Sequence, residues 1–245
     1  MSHMRRNGFQ LVDGDALDAE TAYRLLVGCV VPRPIAWITT VDETGRVNAA
    51  PFSSFNYVAT SPPMLAVNVA LRPGSGDIKD TARNIAASRE FVVNIATEAD
   101  LEVMHRSAQE FGPEISEPEV LGIELLDSQH VRAPRIASSP VQMECRLDQI
   151  VRLGRGINTL YIGEVVAFHL SERIYDGRRV DSAAMRPVAR LGGPFYSALG
   201  EIFERPMLQS APGLLGNHDS DDDATRGEAT GGDRRAPGGP ALTHS

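Results

Sequence analysis

The chain of 245 residues is poor in several residue types, and each shortage narrows what the protein can be. It contains one lysine, Lys79, one tryptophan and two cysteines. Cys29 and Cys145 lack the CxxC spacing of metal or redox sites, and their apolar or alternating neighbours predict buried thiols rather than a disulfide. No run approaches the roughly 18 apolar residues of a membrane helix, so we predict a soluble protein.

Positive charge is also scarce. The formal net charge is −8. Residues 207–245 hold six acids and three arginines, which leaves −5 for the rest of the chain. A nucleic-acid partner is therefore not expected, because neutralising phosphates needs clustered lysines and arginines.

The two ends of the chain differ from its middle. Met1–Met4 is typical of the remnant of an expression tag, and the residues after it lack the apolar segment of a signal peptide, so we expect a cytoplasmic protein. Residues 207–245 are rich in Gly, Asp, Pro, Ala and Thr and cannot bury enough apolar surface to offset the entropy of ordering. We predict a disordered N-terminus over 1–8, one domain over 9–206 and a disordered tail over 207–245.

The middle of the chain is dominated by predicted strands. Val141–Asp148 alternates apolar and polar residues without exception, as in a strand with one buried face. Further strands are predicted over Ile35–Val41, Val47–Ala59 (broken), Met64–Leu71, Glu90–Ile95 and Leu160–Phe168. Because there is no βαβ alternation and no GxGxxG after a strand, we predict a mainly β protein built on a small closed barrel rather than a doubly wound sheet.

Short helices accompany these strands. Asp18 is the predicted N-cap of a helix that reaches Val27, whose apolar residues would pack on the outside of the barrel. A second helix is predicted over Thr81–Ser88 with Asp80 as its N-cap, and a third over Glu98–Gln109.

The start of the second helix carries groups that suit a phosphate. Lys79 supplies a point charge, Thr81 a hydroxyl, and the first N–H groups of the helix add donors along its dipole. Asp80 would repel a phosphate, so its expected part is to order these donors as the N-cap. Thr39 and Thr40, at the end of the first strand, are candidates for a further phosphate bond. The alternative is an ordinary capped helix on the surface.

The segment Asn48–Phe55 interrupts a strand with small and hydroxyl-bearing residues. Pro51 removes one ladder donor and forces a local break, which exposes backbone amides and hydroxyls. Flavin mononucleotide (FMN) needs donors for its phosphate, donors and acceptors for its polar ring edge, and an apolar surface for its ring face. The candidates for the edge are Asn48, Ser53 and Ser54, and those for the ring are Phe55 and Trp37. The alternative is that the serines cover a solvated strand face.

Residues near the end of the domain are candidates for binding a second substrate. The segment Arg190–Tyr196 offers a cation, two glycines and an aromatic, and we predict that it borders the flavin pocket, with Arg190 attracting an anionic nucleotide or polarising the flavin edge and Tyr196 shielding the ring. The alternative is that Arg190 pairs with a structural carboxylate and Tyr196 lies in the core. His169 is either a proton source facing the flavin or a hydrogen-bonded residue at a strand end. The histidines lack metal-ligand spacing, so no metal is predicted.

Several short segments together resemble a known family. They are Arg33–Thr40, Asn48–Phe55, Ser61–Pro63, Lys79–Thr81 with Asn84 and Ile85, Phe91–Asn94, Ile162–Val165 and Arg190–Gly193 with Tyr196. Over about residues 25–196 the chain resembles the flavin reductase-like group of FMN-binding split-barrel proteins, and within it the flavoredoxin branch. The resemblance implies an antiparallel split barrel of six or seven strands with a few peripheral helices. It also implies a homodimer with FMN near the subunit interface.

The resemblance carries a site and an activity as well. It implies phosphate contacts at Thr40, Lys79 and Thr81, and ring contacts on the segment from Ala50 to Phe55. It further implies electron transfer from NADH or NADPH to flavin, and onward to an oxygenase or another acceptor. Hydride transfer needs no acid–base side chain, so no catalytic residue is predicted. Two alternatives are an FMN-binding electron carrier without NAD(P)H turnover and a barrel that binds no flavin.

Overall fold

The computed structural model describes residues 5–6, 8–155 and 157–206. The predicted tail over 207–245 and most of the predicted N-terminal segment lie outside the described residues. The chain divides into two units, Met1–Ile202 and Phe203–Ser245, and every helix and strand given below lies in the first. Within the described part of the chain, no helix is both long and apolar enough to cross a membrane.

The described elements are mostly strands. The strands are β1 (Arg5–Arg6), β2 (Phe9–Gln10), β3 (Arg33–Pro34), β4 (Ala36–Val41), β5 (Val47–Phe52), β6 (Phe55–Thr60), β7 (Pro63–Ala70), β8 (Glu90–Ile95), β9 (Leu125–Leu126), β10 (Arg135–Ile136), β11 (Val141–Leu153), β12 (Asn158–Leu170), β13 (Ala189–Arg190) and β14 (Tyr196–Ser197). The helices are α1 (Ala19–Cys29), α2 (Asp80–Ser88), α3 (Leu101–Arg106), α4 (Glu117–Leu121) and α5 (Ser182–Met185), with 3₁₀ turns at Gly14–Ala16 and Glu98–Asp100.

Seven antiparallel strands form the main sheet, in the order β5-β4-β8-β11-β12-β7-β6. The edge strands β5 and β6 follow each other in the chain, and only Ser53 and Ser54 lie between them. Two residues reach at most about 3.6 Å each, so the sheet must curl until its two edges meet. The result is a split barrel, which confirms the predicted mainly β, antiparallel fold with seven strands.

Apolar side chains fill the barrel and a second cluster beside it. The first cluster is centred on the fully buried residues Ile38, Val67, Ile85, Phe91, Val93 and Cys145. The second includes Ile35, Trp37, Met104 and Ile136, and it packs α3 against the outside of β4. A three-stranded sheet in the order β14-β13-β3 lies beside the barrel and brings the segment after Arg190 next to Arg33.

Some predicted element boundaries differ from the structure. β11 and β12 form a hairpin of two 13-residue strands, longer than predicted because a register shift between Leu147 and Gln149 ends the apolar alternation while pairing continues. The predicted helix over Glu98–Gln109 is a 3₁₀ turn followed by the short α3. α1 does begin after Asp18, whose carboxylate accepts the N–H of Thr21 at 2.6 Å.

The predictions for the cysteines and for the apolar face of α1 are wrong in part. Cys145 is buried as predicted, and burial raises the pKa of its thiol, whereas Cys29 is exposed. Neither forms a disulfide. α1 has no buried residue, and Leu25 and Leu26 stay exposed rather than packing on the barrel, because no described element of the same chain covers them.

Glu144 on β11 is a carboxylate in the interior of the protein, with no exposed surface. It accepts the backbone N–H groups of Gln129 (2.9 Å), His130 (2.6 Å) and Val131 (3.1 Å), and Nε2 of His169 lies 2.6 Å from it. Burial alone would raise the pKa of Glu144, but these hydrogen bonds outweigh burial and lower the pKa below its ordinary value of 4.5. The carboxylate therefore holds the loop over residues 129–131 against the barrel.

Replacing this carboxylate by an amide should destabilise the protein. In Glu144→Gln, one side of the side chain becomes a donor that faces backbone donors, so we expect a loss of about 2–4 kcal/mol in the free energy of unfolding. Urea unfolding followed by circular dichroism measures it. The matched control is Glu164→Gln on the neighbouring strand β12, where the side chain is exposed and the change should stay within about 0.5 kcal/mol.

The loss should also depend on pH. Because the folded pKa of Glu144 is lower than the unfolded one, its stabilisation is complete above the ordinary pKa of 4.5 and disappears as the pH falls through the folded value. The difference in stability between the wild type and Glu144→Gln should therefore shrink as the pH falls below 4.5 and through the folded pKa of Glu144. A difference that is constant over this range would show that the charge of Glu144 has no part in the effect.

Candidate functional site

A cleft of about 620 Å³ opens beside the break between β5 and β6. Its walls are formed by α1, β3, the β5–β6 break, β7, the start of α2, α3, the start of β12 and the segment around β13 and β14. The lining side chains used below are Leu26, Val27, Arg33, Ile35, Pro51, Phe52, Ser53, Ser54, Asn68, Lys79, Arg190 and Tyr196. The walls are mostly apolar, and they carry the cations Arg33, Lys79 and Arg190.

A smaller recess of about 240 Å³ adjoins the cleft. The two share Pro51, Phe52 and Lys79 on their walls. The recess adds the start of α2, with Asp80 and Thr81, and part of β5, with Asn48 and Ala50. The cleft and the recess are therefore neighbours, with Lys79 on the walls of both.

Most of the predicted site residues line the cleft or the recess. Ser53, Ser54, Lys79, Arg190 and Tyr196 line the cleft. Asn48, Ala50, Asp80 and Thr81 line the recess. The predicted residues Thr39, Thr40, Phe55 and His169 are not among those that line either.

A buried network of polar side chains lies beneath the recess. Asn48 is its centre: its Oδ1 accepts the Thr81 hydroxyl at 2.7 Å and, more weakly, the Thr40 hydroxyl at 3.4 Å. Its Nδ2 donates to Glu117 at 2.7 Å, while Asn84 Nδ2 donates to Thr40 Oγ1 at 3.0 Å. Each of these side chains is at least nine-tenths buried. The network joins β4, β5, α2 and α4 into one rigid base.

The hydrogen bonds of the threonines differ from the predicted phosphate contacts. Thr40 is fully buried and its hydroxyl is used within the network, so it does not reach a phosphate in this arrangement. Thr39 is also fully buried and donates to the carbonyl of Pro134. Thr81 lines the recess, but its hydroxyl hydrogen is given to Asn48. The donors that remain at the start of α2 are its first backbone N–H groups and the ammonium of Lys79.

Glu117 is a site residue that the sequence analysis missed. It is buried, lines the recess and accepts the N–H of Ala49 at 3.0 Å in addition to Asn48. Burial raises the pKa of its carboxyl group, and the nearby charge of Asp80 adds to the increase, although the hydrogen bonds oppose it. Nothing in the local sequence signals this, because Glu117 meets Asn48 across 69 positions of the chain.

Lys79 lies where the cleft and the recess meet. It is the N-cap residue of α2, with no side-chain capping bond, and its Nζ lies 5.7 Å from the centre of the Phe52 ring. Burial lowers the pKa of its ammonium below the ordinary value of 10.5, the Arg72 guanidinium lowers it further, and Glu110 partly opposes this. Among the described residues no carboxylate forms an ion pair with Lys79.

The structural role of Asp80 differs from the predicted one. It is the first residue of α2 rather than its N-cap. Its carboxylate forms ion pairs with Arg72 and Arg83 instead of accepting helix N–H groups. The two guanidiniums neutralise a negative charge that would otherwise face any anion in the recess.

Arg190 and Tyr196 are packed on each other on the wall of the cleft. The guanidinium carbon of Arg190 lies 4.5 Å from the centre of the Tyr196 ring, its Nη1 donates to the Tyr196 hydroxyl, and its Nη2 donates to the Gly193 carbonyl at 2.7 Å. Nδ1 of His105 lies 2.9 Å from the same hydroxyl. Both residues line the cleft, as predicted, and the alternative in which Arg190 pairs with a carboxylate finds no support among the described contacts.

Three predicted contacts are made elsewhere in the structure. His169 bonds Glu144, which agrees with the hydrogen-bonded alternative and not with a proton source at the flavin. Trp37 is fully buried and donates from Nε1 to the Ser107 hydroxyl at 3.0 Å. Phe55 packs against the barrel core. The aromatic residue that does line the cleft and the recess is Phe52.

Comparison with known proteins agrees with this architecture. The family model described as flavin reductase like domain matches residues 27–184. The chain belongs to the flavin reductase-like family. This confirms the resemblance that the sequence motifs indicated, and the split barrel is the fold that solved structures of similar proteins show.

Three solved structures are similar to this chain. Nitrilotriacetate monooxygenase component B from Bacillus cereus is 34% identical with a TM-score of 0.77, and the match covers 82% of this chain and 100% of that one. The 2-nitrobenzoate 2-nitroreductase NbaA of Pseudomonas fluorescens is 33% identical with a TM-score of 0.74, covering 82% and 98%. Flavoredoxin of Desulfovibrio vulgaris, at 23% identity, a TM-score of 0.62 and coverage of 72% and 91%, is similar in fold alone.

The position of Lys79 predicts an unusual titration. Because its folded pKa is lower than 10.5, holding the ammonium charged costs stability below the folded pKa, and this cost disappears as the pH rises through it. Reductive methylation with ¹³C-formaldehyde labels the one lysine of the chain and the terminal amine, so its titration can be followed by NMR. We expect a lower pKa for Lys79 in the folded, flavin-free protein than in the same sample unfolded in urea. Equal values would show that burial does not act on this ammonium.

Proposed function

We propose that the protein is an FMN-binding oxidoreductase that takes electrons from NADH or NADPH and passes them to an acceptor that is still to be identified. The observation that carries the proposal is an apolar cleft next to a smaller recess, with Lys79 on the walls of both. A flavin ring needs apolar walls and polar groups at one edge, and its phosphate needs a cation and N–H donors. The cleft and the recess supply these in that order.

The residues of the chain fit FMN on independent grounds. Lys79 has no carboxylate partner among the described residues, which suits an anion arriving from outside the protein. Asn68 Oδ1, on the cleft wall, is buried with no hydrogen-bond partner within the described part of the chain, so it can accept an N–H from the polar edge of a flavin. Ile35, Val27 and Leu26 supply apolar surface for the ring.

Bound FMN would accept a hydride from the nicotinamide and pass its electrons on. The chain's own contribution is binding and orientation. Lys79 and the N–H groups at the start of α2 hold the phosphate, and the amides exposed at Ser53 and Ser54 bond the polar ring edge. The network under Asn48 keeps β5 and α2 in a fixed relation, so these two sets of groups keep their spacing. No side chain is required to exchange a proton during hydride transfer.

The neighbours suggest two kinds of acceptor. The name of the Bacillus cereus protein makes it one component of a monooxygenase, and that of the Pseudomonas fluorescens protein makes it a nitroreductase. By analogy, the acceptor of this protein is an oxygenase partner or a small organic molecule. The reaction would take place in the cytoplasm.

We also propose that the protein acts as a homodimer. α1 borders the cleft and exposes Tyr23 and Leu26, and its C-cap residue Val30 is exposed as well, with exposed fractions of 65%, 63% and 58%. An apolar helix face beside a ligand cleft is typical of an interface, and a second copy would cover it and narrow the opening of the cleft.

The phosphate assignment predicts a selective loss of affinity. Lys79→Ala should weaken FMN binding by about 1.5–3 kcal/mol, roughly ten- to a hundredfold, because one charge-assisted bond is lost. Riboflavin, which has no phosphate, should bind almost unchanged. Flavin fluorescence titration measures both affinities. Arg173→Ala, which removes an exposed cation that lines neither the cleft nor the recess, should change both affinities less than about twofold. An equal loss for FMN and riboflavin in Lys79→Ala would rule out the assignment.

The dimer proposal predicts that association and FMN affinity are linked. Val30→Asp should weaken association in sedimentation experiments and lower FMN affinity with it, because the interface and the cleft share α1. Val120→Asp is the matched control, since Val120 on α4 is 59% exposed and far from α1 in the sequence. A monomeric wild type with full FMN occupancy at micromolar concentration would contradict the proposal.

Two measurements separate the proposed enzyme from its alternatives. The visible spectrum of freshly purified protein, or of protein mixed with FMN, shows whether flavin binds at all. Stopped-flow mixing of the FMN form with NADH or NADPH then separates an enzyme from a carrier. Loss of the flavin absorbance near 450 nm within seconds supports the enzyme, and no bleaching with either nucleotide supports a carrier that receives electrons from another protein.

A further inference from the structure

Two arginines lie opposite each other where β3 and β13 pair. The register makes Arg33 and Arg190 direct partners, and both line the cleft. Like charges that face each other in an antiparallel pair destabilise it. No carboxylate lies within ion-pair distance of either guanidinium among the described residues. The pair is therefore a concentration of positive charge that must be balanced in another way.

The positive charge of Arg33 is balanced mostly by backbone carbonyl groups. Its Nη1 donates to the carbonyls of Val27 (2.6 Å) and Val30 (2.7 Å), and its Nη2 donates to that of Leu191 (2.9 Å). The first two carbonyls belong to the C-terminal end of α1, which is the negative end of the helix dipole. Arg33 thus ties α1 to the segment after β13, and most of its N–H groups are used.

Arg190 is left with unused donors. It has five N–H groups, of which one bonds the Tyr196 hydroxyl and one the Gly193 carbonyl. Both partners are neutral, so the hydrogen bonds fix the side chain without cancelling its charge. The three other N–H groups have no partner in the described part of the chain, and Arg190 lies half-buried on the cleft wall.

The orientation of Arg190 is fixed before any ligand arrives. The guanidinium stacks on the Tyr196 ring at 4.5 Å, and the ring of His105 meets that of Tyr196 edge-on with centres 5.6 Å apart. Nδ1 of His105 also contacts the Tyr196 hydroxyl. Since Tyr196 and the Gly193 carbonyl hold the guanidinium, and His105 of α3 in turn holds the Tyr196 ring, little conformational entropy remains to be lost on binding.

We propose that Arg190, backed by Arg33, forms an anion subsite that binds a phosphate or carboxylate group of the second substrate. The subsite differs from the proposed FMN phosphate position, because Lys79 and the start of α2 line the recess and Arg190 does not. This inference rests on the proposed function, because it assigns FMN to Lys79 and leaves Arg190 to the molecule that reacts with the flavin. A planar guanidinium with three available N–H groups suits the paired oxygens of either anion.

Calorimetric titration of the FMN-loaded protein tests the subsite without turnover. ADP-ribose is the probe for the pyrophosphate of a nicotinamide nucleotide, and benzoate is the probe for the carboxylate of an organic acceptor. We expect at least one probe to bind, and Arg190→Gln to weaken that binding about tenfold or more, with FMN affinity changed less than about twofold. Lys79→Ala should give the opposite pattern. Arg173→Gln, which changes an exposed arginine outside α1, the cleft and the recess, is the matched control and should leave every affinity unchanged.

The results of these titrations show which molecule supplies the anion, or that the inference is wrong. Binding of ADP-ribose alone assigns the subsite to the nucleotide, and binding of benzoate alone assigns it to an acid acceptor. If neither probe binds the wild type, or if Arg190→Gln binds the probes as tightly as the wild type, the inference is wrong. It is also wrong if Arg190→Gln weakens FMN but not riboflavin, because Arg190 would then hold the FMN phosphate.

Two further measurements keep the test decisive. If Arg190→Gln unfolds, Arg190→Lys retains the charge but loses the planar pair of donors, and it should weaken the probe by a smaller factor than tenfold while melting like the wild type. If the protein binds no FMN, the proposed function fails. The same titrations on the flavin-free protein then still decide whether Arg190 binds an anion.

Discussion

The connection of β5 to β6 through Ser53 and Ser54 determines the arrangement of the rest of the molecule. Because these edge strands lie at opposite ends of the seven-stranded order, two residues can join them only if the sheet closes. Closure leaves a seam at which backbone groups are not used by a ladder. The cleft lies along this seam, and α1 and the β13–β14 segment form its other walls. The strand break that identifies the candidate site is thus also the feature that makes the barrel.

The polar network under the recess is the second constraint. Asn48, Thr81 and Glu117 bond one another in the interior, where an unpaired polar group would be costly. This explains why hydroxyls that look suited to a phosphate are not available for one. The motif residues act one layer below the ligand: they fix β5 against α2, so that Lys79 and the helix N–H groups are correctly placed. The glycine at position 163, which belongs to another motif, is also explained by packing. A Cβ there would lie 2.6 Å from the Phe91 ring.

Much of the fold could be predicted from the sequence, and less of the site. Strict alternation located β11, and Asp18 marked the start of α1, because both signals are local. The part played by Glu117 could not be predicted, since its partner Asn48 lies 69 positions away. Arg33 was visible only as part of a family motif, because its acceptors are backbone carbonyls, which the sequence does not distinguish. Local patterns indicated which residues belong together, but whether a side chain faces the ligand or the interior depends on contacts between distant segments.

The two cationic positions of the site differ in a way that fits their surroundings. Lys79 presents a compact charge next to the N–H groups of a helix start, where a point charge adds to donors that the backbone already provides. Burial works against this charge, so an arriving phosphate would be favoured in part because it restores the ammonium to its ordinary state. Arg190 lies where no helix start supplies donors, and its planar group brings its own. The single lysine of the chain therefore lies where backbone N–H groups supply the donors, whereas Arg190 lies where the side chain supplies the donors itself.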